Sequence, residues 1–134
     1  MAPDIKPHVD AIMAALTAGG LVVGDGVAPP KSSIPPTGIY AVLYCDPGQS
    51  VSESLADQRT DFQLSFQVTL VGPTAEKVRW AGQRCRDALH GPLAVTGRNA
   101  WRAEEDGGPP IQRDDDVSPS LYYLPVQYRL QSTS

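Results

Sequence analysis

The chain has 134 residues, of which 41% are hydrophobic and 19% charged, and its formal net charge is −4. This composition predicts a single domain (1–134) with a hydrophobic core; it argues against a disordered chain and, because no apolar run approaches ~20 residues, against a membrane span. The acidic balance disfavours tight binding of nucleic-acid phosphates, although it allows nucleic acid to slide past. Residues 1–4 do not resemble a secretory signal, so we expect synthesis and use in a cytoplasm.

The first periodic segment predicts a helix over residues 7–18. Pro7 suits the first helical turn, where its missing N–H has no partner to lose, and Gly19-Gly20 provides the left-handed exit. One apolar stripe is expected to face the core. Its members are Val9, Ile12, Met13 and Leu16.

Strands are predicted next, over residues 21–23 and 39–45. Between them, four prolines in residues 27–38 indicate a stiff, irregular connection. The polar residues 49–60 predict a mobile loop. The segment 61–71 then alternates strictly between apolar and polar side chains, which is typical of a strand with one buried face and one wet face. The apolar members are Phe62, Leu64, Phe66, Val68 and Leu70.

A second helix is predicted from the N-cap Thr74 to about Leu89. Its apolar stripe consists of Val78, Ala81, Cys85, Ala88 and Leu89, bordered by Lys77 and Arg84 on one side and by Arg79 and Arg86 on the other. Trp80 projects roughly 200° from the centre of this stripe. An exposed Trp there is explained either by a subunit contact or by a loop or terminus of the same chain folding over it.

Three weaker strands are predicted over residues 99–104, 111–117 and 121–130, with a turn at 107–110 joining the first two. In the last strand, the apolar residues change from odd to even numbers at Pro125, so we expect a β-bulge there. The element order, without alternating βαβ units, predicts an α+β fold: a mainly antiparallel sheet with both helices packed on one face.

The sequence offers few groups for catalysis. Cys45 and Cys85 are too few and too far apart for a disulfide framework or a zinc site, and are expected to be free thiols. Cys85 and His90 are separated by some 140° on the helix, which disfavours a thiol enzyme. We predict no catalytic residue, cofactor or metal site.

The dense acidic run Asp114-Asp115-Asp116 has Glu104-Glu105-Asp106 on the neighbouring predicted strand. Such a cluster could bind a divalent cation, but successive strand residues point to opposite faces, so a solvated acidic rim is favoured. Arg113 beside the run leaves an intersubunit ion pair as a third alternative.

The order of these segments resembles a known family. It is carried by Gly-Gly-Leu-Val-Val-Gly-Asp-Gly (19–26), Tyr-Ala-Val-Leu-Tyr (40–44), Gly-Pro-Thr-Ala-Glu (72–76) leading into a helix with Trp and Arg, Arg-Asp-Asp-Asp-Val (113–117) and Tyr-Arg-Leu (128–130). The chain resembles, over nearly its whole length, the tail terminator (tail completion) proteins of siphophages that infect Streptomyces and related actinobacterial hosts.

The resemblance implies a non-enzymatic virion protein, assembled in the host cytoplasm and located at the head-proximal end of the tail. It would form a homohexameric ring that caps the tail tube, ends polymerisation of the tail tube protein and joins the tail to the head–tail connector protein. DNA would pass through the lumen without specific binding. Six compact subunits, each about 36 Å across, leave a hole of about the same width.

Candidate interface residues are Trp80, Arg79, Arg84, Arg86, Arg113, Asp114, Asp115 and Asp116. Segments 27–38 and 47–60 are expected to become ordered on docking. The alternatives are another head–tail connector or minor tail protein, a small metal- or thiol-dependent enzyme, and an adaptor that binds peptides along a free sheet edge.

Overall fold

The computed structural model describes residues 5–51, 61–99 and 102–132. Within these ranges, two helices pack on one face of a mostly antiparallel seven-stranded sheet, which confirms the predicted α+β fold. The helices are α1 (Lys6–Ala18) and α2 (Ala75–Leu89). The strands are β1 (Val23–Asp25), β2 (Tyr40–Cys45), β3 (Gln49–Val51), β4 (Asp61–Gly72), β5 (Glu104–Gly107), β6 (Gln112–Asp114) and β7 (Leu121–Ser132).

The sheet is built around the two long strands β4 and β7. Its order is β1-β2-β4-β7-β5; β3 also pairs with β4, and β6 also pairs with β7. β1 runs parallel to β2, and the other pairs are antiparallel. β1 begins two residues later than predicted, because Leu21 is buried in the core and the pairing with β2 starts only at Val23.

The alternation in β4 produces the predicted buried face. Leu64, Phe66, Val68 and Leu70 are at most 2% exposed, while the burial of Phe62 lies outside what the structure describes. Opposite Phe66, the ring of Tyr128 on β7 stacks at a centroid distance of 5.3 Å. Burial of each such side chain contributes roughly 1.5–3 kcal/mol. This pair of strands therefore supplies the centre of the core.

The β-bulge expected at Pro125 does not form. β7 pairs with β4 in one continuous register from Gly72↔Tyr122 to Phe62↔Ser132. The even-numbered residues of β7 face the helices throughout, so Leu121 and Tyr123 lie on the opposite face. Pro125 is tolerated because it falls between the residues of β7 that pair with β5 and those that pair with β6. The bulge occurs instead in β5, between Glu105 and Gly107.

The hairpin predicted around residues 107–110 is also wrong. β5 and β6 do not pair with each other; both pair with the outer edge of β7, β5 near its end and β6 near its start. The segment between them runs along that edge, where the backbone of Gly108 lies against Pro125. The long partner of these strands comes later in the chain, so the local turn signal indicated the wrong pairing.

Both helices bury a stripe against the sheet. In α1 the buried side chains are His8, Ile12 and Leu16, whereas Val9 and Met13 are only partly buried. In α2, which begins at the predicted N-cap with Thr74 accepting the N–H of Lys77 at 3.2 Å, they are Val78, Ala81, Cys85 and Leu89. α1 and α2 lie so close that a Cβ on Gly19 would be 2.9 Å from the Cβ of Ala88.

The two expected loops differ. The mobile loop predicted over residues 49–60 is wrong for residues 49–51, which form β3 because they pair with the start of β4. Residues 52–60 lie outside the described residues. The connection 27–38 is irregular apart from one 3₁₀ turn, Lys31–Ser33, as predicted. Neither helix in the described ranges has the length and apolarity that a bilayer crossing needs.

Candidate functional site

The outward face of α2 carries an exposed aromatic residue. Because Val78, Ala81 and Cys85 turn one side of the helix into the core, Trp80 faces outward and remains 45% exposed. The guanidinium of Arg84, one turn later, lies 4.9 Å from the centroid of the indole ring. This cation–π contact holds Trp80 and Arg84 together as one surface. The predicted outward orientation of Trp80 is confirmed.

The structure separates the candidate arginines into two groups. Arg86 Nε donates to Glu105 Oε1 at 2.8 Å, which ties α2 to β5, and Arg113 Nε is 2.6 Å from Asp115 Oδ1. Arg79 and Arg84 form no ion pair with any residue of 5–51, 61–99 or 102–132. The charges of the second group are not compensated by an ion pair within the described residues.

The acidic residues 114–116 begin at Asp114, the last residue of β6, and lead out of that strand; we call them the acidic turn. The N–H of Asp116 donates to Asp114 Oδ1 at 3.0 Å, and Ser120 Oγ donates to Asp115 Oδ1 at 2.7 Å. The Ser120 hydrogen bond, with a smaller contribution from Arg113, lowers the pKa of Asp115. The carboxylates of Asp114 and Asp116 make no ion pair with any described cation.

The two acidic runs are not neighbours, contrary to the expectation from the sequence. Residues 104–106 lie opposite the far half of β7, where Arg129 is 3.4 Å from Glu104 and 3.3 Å from Asp106. The acidic turn lies at the opposite end of β7. Within the described ranges, no group of three or more His, Cys, Asp or Glu residues is arranged to hold a metal ion.

The two cysteines are free, and their surroundings suppress thiol chemistry. Burial raises the pKa of the Cys85 thiol to about 11, and its sulfur lies 3.5 Å from the hydroxyl of Tyr128 in the core. Burial also raises the pKa of Cys45 to about 11. His90 is exposed at the end of α2, away from the buried Cys85. A nucleophilic thiol needs a lowered pKa and access to solvent, and Cys85 has neither.

A buried polar cluster was missed in the sequence. His8 and Ser132 are 1% and 0% exposed, and His8 Nε2 lies 2.8 Å from Ser132 Oγ. Arg98 donates from Nε to the same hydroxyl at 2.9 Å and from Nη2 to the carbonyl of Ser132 at 2.7 Å. The sequence did contain a signal for the burial of His8. His8, Ile12 and Leu16 follow one another at intervals of four residues, which places them on the same face of α1. No local pattern relates it to Ser132, 124 residues later.

The face of the sheet opposite the helices forms a shallow groove of about 540 Å³. It is lined by Tyr44, Gln67, Thr69, Pro109, Gln112, Tyr123, Pro125 and Gln127. Tyr123 donates to Gln112 at 2.6 Å, and Gln67 donates to Thr69 at 2.8 Å and accepts from Gln127. These side chains form hydrogen bonds with one another. This face of the sheet is therefore polar, unlike the face that packs against the helices.

Known proteins with this fold include a virion component. A solved chain whose name carries no functional description matches with a TM-score of 0.55 and 22% identity, over 94% of this chain and 96% of that one. A chain from the virion of a native gene transfer agent particle matches with a TM-score of 0.53 and 20% identity, over 95% of this chain and 88% of that one. These matches establish a shared fold. No protein-family model matches the sequence, and no curated protein matches it significantly.

Proposed function

We propose that the chain is a non-enzymatic structural protein of a phage-type virion and, within that class, a tail terminator. The observation that carries the proposal is the likeness to a chain from a gene transfer agent virion, which spans 95% of this chain and 88% of the other. The two chains are thus alike over nearly their whole lengths. The order of sequence segments, which resembles siphophage tail terminators, supports the finer assignment.

The chemistry of the described residues supports a role without catalysis. The thiols have raised pKa values, and the two acidic runs are held at opposite ends of β7. An adaptor that extends the sheet with a bound peptide is disfavoured as well. One edge strand, β1, has three residues, and the other edge is divided between β5 and β6 with a bulge in β5. Short and interrupted edges are poor templates for strand addition.

The two unlike faces of the sheet suit a protein that ends a polymer. In the proposed role, subunits form a homohexameric ring through which DNA passes without specific binding. One surface of the ring copies the stacking surface of the tail tube protein; the other lacks that surface and meets the head–tail connector protein, so growth stops. Segments 27–38 and 47–60 would become ordered on docking. The protein would be assembled in the host cytoplasm and reside in the virion, at the head-proximal end of the tail.

Deletion of the gene from the virus that encodes this chain tests the proposal. We expect tails longer than normal and heads without tails in electron micrographs, because nothing stops growth of the tube. Expression of the wild-type chain in trans should restore tail length. Tails of normal length that are detached from heads would instead identify a head–tail connector protein and refute the terminator assignment.

A second set of variants tests the non-enzymatic part of the proposal. The deletion should be rescued equally well by Cys45→Ser and Cys85→Ser, because neither thiol makes or breaks a bond in the proposed role. If any one of them abolished a measurable turnover together with the rescue, the enzymatic alternative would be favoured instead.

A further inference from the structure

Helix α2 carries a cationic aromatic surface that the described part of the chain does not cover. We call Arg79, Trp80 and Arg84 the α2 patch. Trp80 is 45% exposed, and the guanidinium of Arg84 lies 4.9 Å from its ring centroid. Neither arginine has a carboxylate partner among the described residues. Trp and Arg are the residues that most often dominate binding energy at protein interfaces, so the α2 patch is suited to bind an acidic surface.

The same chain presents such a surface at a different place. The acidic turn begins at the last residue of β6 on the outer edge of the sheet, and Asp116 is exposed. Asp115 is neutralised by Arg113 at 2.6 Å, but Asp114 and Asp116 have no cation partner among the described residues. Each copy thus carries two arginines on α2 and two carboxylates in the acidic turn that form no ion pair among the described residues.

We propose that the α2 patch of one copy docks on the acidic turn of the next copy. The inference rests on the proposed function and names the contact that would build its ring. Because the two surfaces differ, the contact is head-to-tail: every copy uses its α2 patch on one side and its acidic turn on the other. Repetition of such a contact closes a ring when the rotation between copies allows it.

Charge supports this pairing. With a net charge of −4, copies of the chain repel one another on average, so a contact that brings unlike charges together offsets part of that repulsion. The α2 patch supplies two guanidinium groups and the acidic turn two uncompensated carboxylates. Arg86 and Arg113 are left out of the proposed contact, because each already forms an ion pair within the chain, with Glu105 and Asp115. The eight candidate residues from the sequence are thereby reduced to Arg79, Trp80, Arg84, Asp114 and Asp116.

Two variants of the full chain, each disabled on one surface, test the contact. The first is Arg79→Glu/Arg84→Glu, which reverses the α2 patch. The second is Asp114→Asn/Asp116→Asn, which removes both carboxylates without introducing a cation; the amide oxygen at position 114 still accepts the N–H of residue 116. Arg102→Glu is the matched control, since it reverses an exposed cation that precedes β5 and is not part of either surface. Self-association is measured by sedimentation equilibrium over a range of protein and salt concentrations.

We expect the wild-type chain and Arg102→Glu to associate beyond the dimer, and high salt to weaken the association. Each disabled variant alone should associate on the order of tenfold more weakly, or more so. An equimolar mixture of the two should form a 1:1 heterodimer that grows no further, because only one productive contact remains. Formation of that heterodimer also shows that both variants are folded.

Three results would overturn the inference: a wild-type chain that stays monomeric up to its solubility limit, disabled variants that associate like the wild type, or a mixture that forms no heterodimer. Failure of this contact is distinct from failure of the proposed function. If the disabled variants still assembled while gene deletion produced overlong tails, the terminator assignment would stand without this contact. If the heterodimer formed while deletion left tail length normal, the contact would stand without the assignment.

Discussion

Gly24 in β1 provides the sharpest test of the packing at the sheet edge. The chain turns back after β1, so a Cβ at residue 24 would lie 1.9 Å from the carbonyl oxygen of Val27 and 3.0 Å from the nitrogen of Pro29. Both obstacles are backbone atoms, which cannot move aside by rotating a side chain. Gly24→Ala therefore requires either β1 or the segment 27–29 to move by more than ~1 Å, since real Cβ contacts are longer than ~3 Å.

The cost of that movement follows from overpacking. Forcing an extra methyl group into a filled site costs typically about 1–3 kcal/mol, and each kcal/mol lowers the melting temperature of a domain of this size by about 4 °C. We expect Gly24→Ala to melt about 4–12 °C below the wild type, measured by circular dichroism. Gly91→Ala is the matched control, because a Cβ there would meet nothing within 4 Å. Equal melting temperatures for the two variants would refute the packing described for residues 24–29.

Two further predictions concern buried groups. Ser132→Ala should lower the free energy of unfolding in urea by about 1–3 kcal/mol, because His8 and Arg98 lose the shared hydroxyl; the exposed Ser32→Ala should change it by less than about 0.5 kcal/mol, and equal effects would contradict the cluster. Burial, aided by the charges of Asp46 and Asp25, raises the pKa of Cys45 to about 11. Alkylation of Cys45 in the folded Cys85→Ser chain should therefore accelerate about tenfold per pH unit from about pH 7 to 10; a plateau below about pH 9 would contradict the raised pKa.

The local patterns predicted the central elements well. The alternation of β4 and the N-cap Thr74 gave the correct position of a strand and of a helix, because side-chain period and capping are properties of neighbouring residues. The errors arose where distant residues decide the structure. Pro125 causes no bulge because β5 and β6 leave β7 unpaired at that point, and neither strand can be assigned to β7 from its own residues.

The candidate interface residues show the same difference between properties set by neighbouring residues and properties set by distant ones. The outward orientation of Trp80 follows from the helical period alone. The ion pair of Arg86 with Glu105 joins residues 19 positions apart on different elements, and its formation depends on where β5 lies beside α2. The sequence therefore identified the charged candidates but could not separate Arg86 and Arg113, which are neutralised within the chain, from Arg79 and Arg84.

The position of β7 in the sheet has a consequence for how the molecule is made. β7 is the last described strand, yet it lies between β4 and the pair β5 and β6, and it also carries the hydroxyl that bonds to His8 in α1. While the ribosome is still adding residues before 121, β4 lacks one neighbour and β5 and β6 lack the strand they pair with. The core can close only after translation has delivered β7, so the native fold forms after synthesis and a chain that ends before residue 121 cannot reach it.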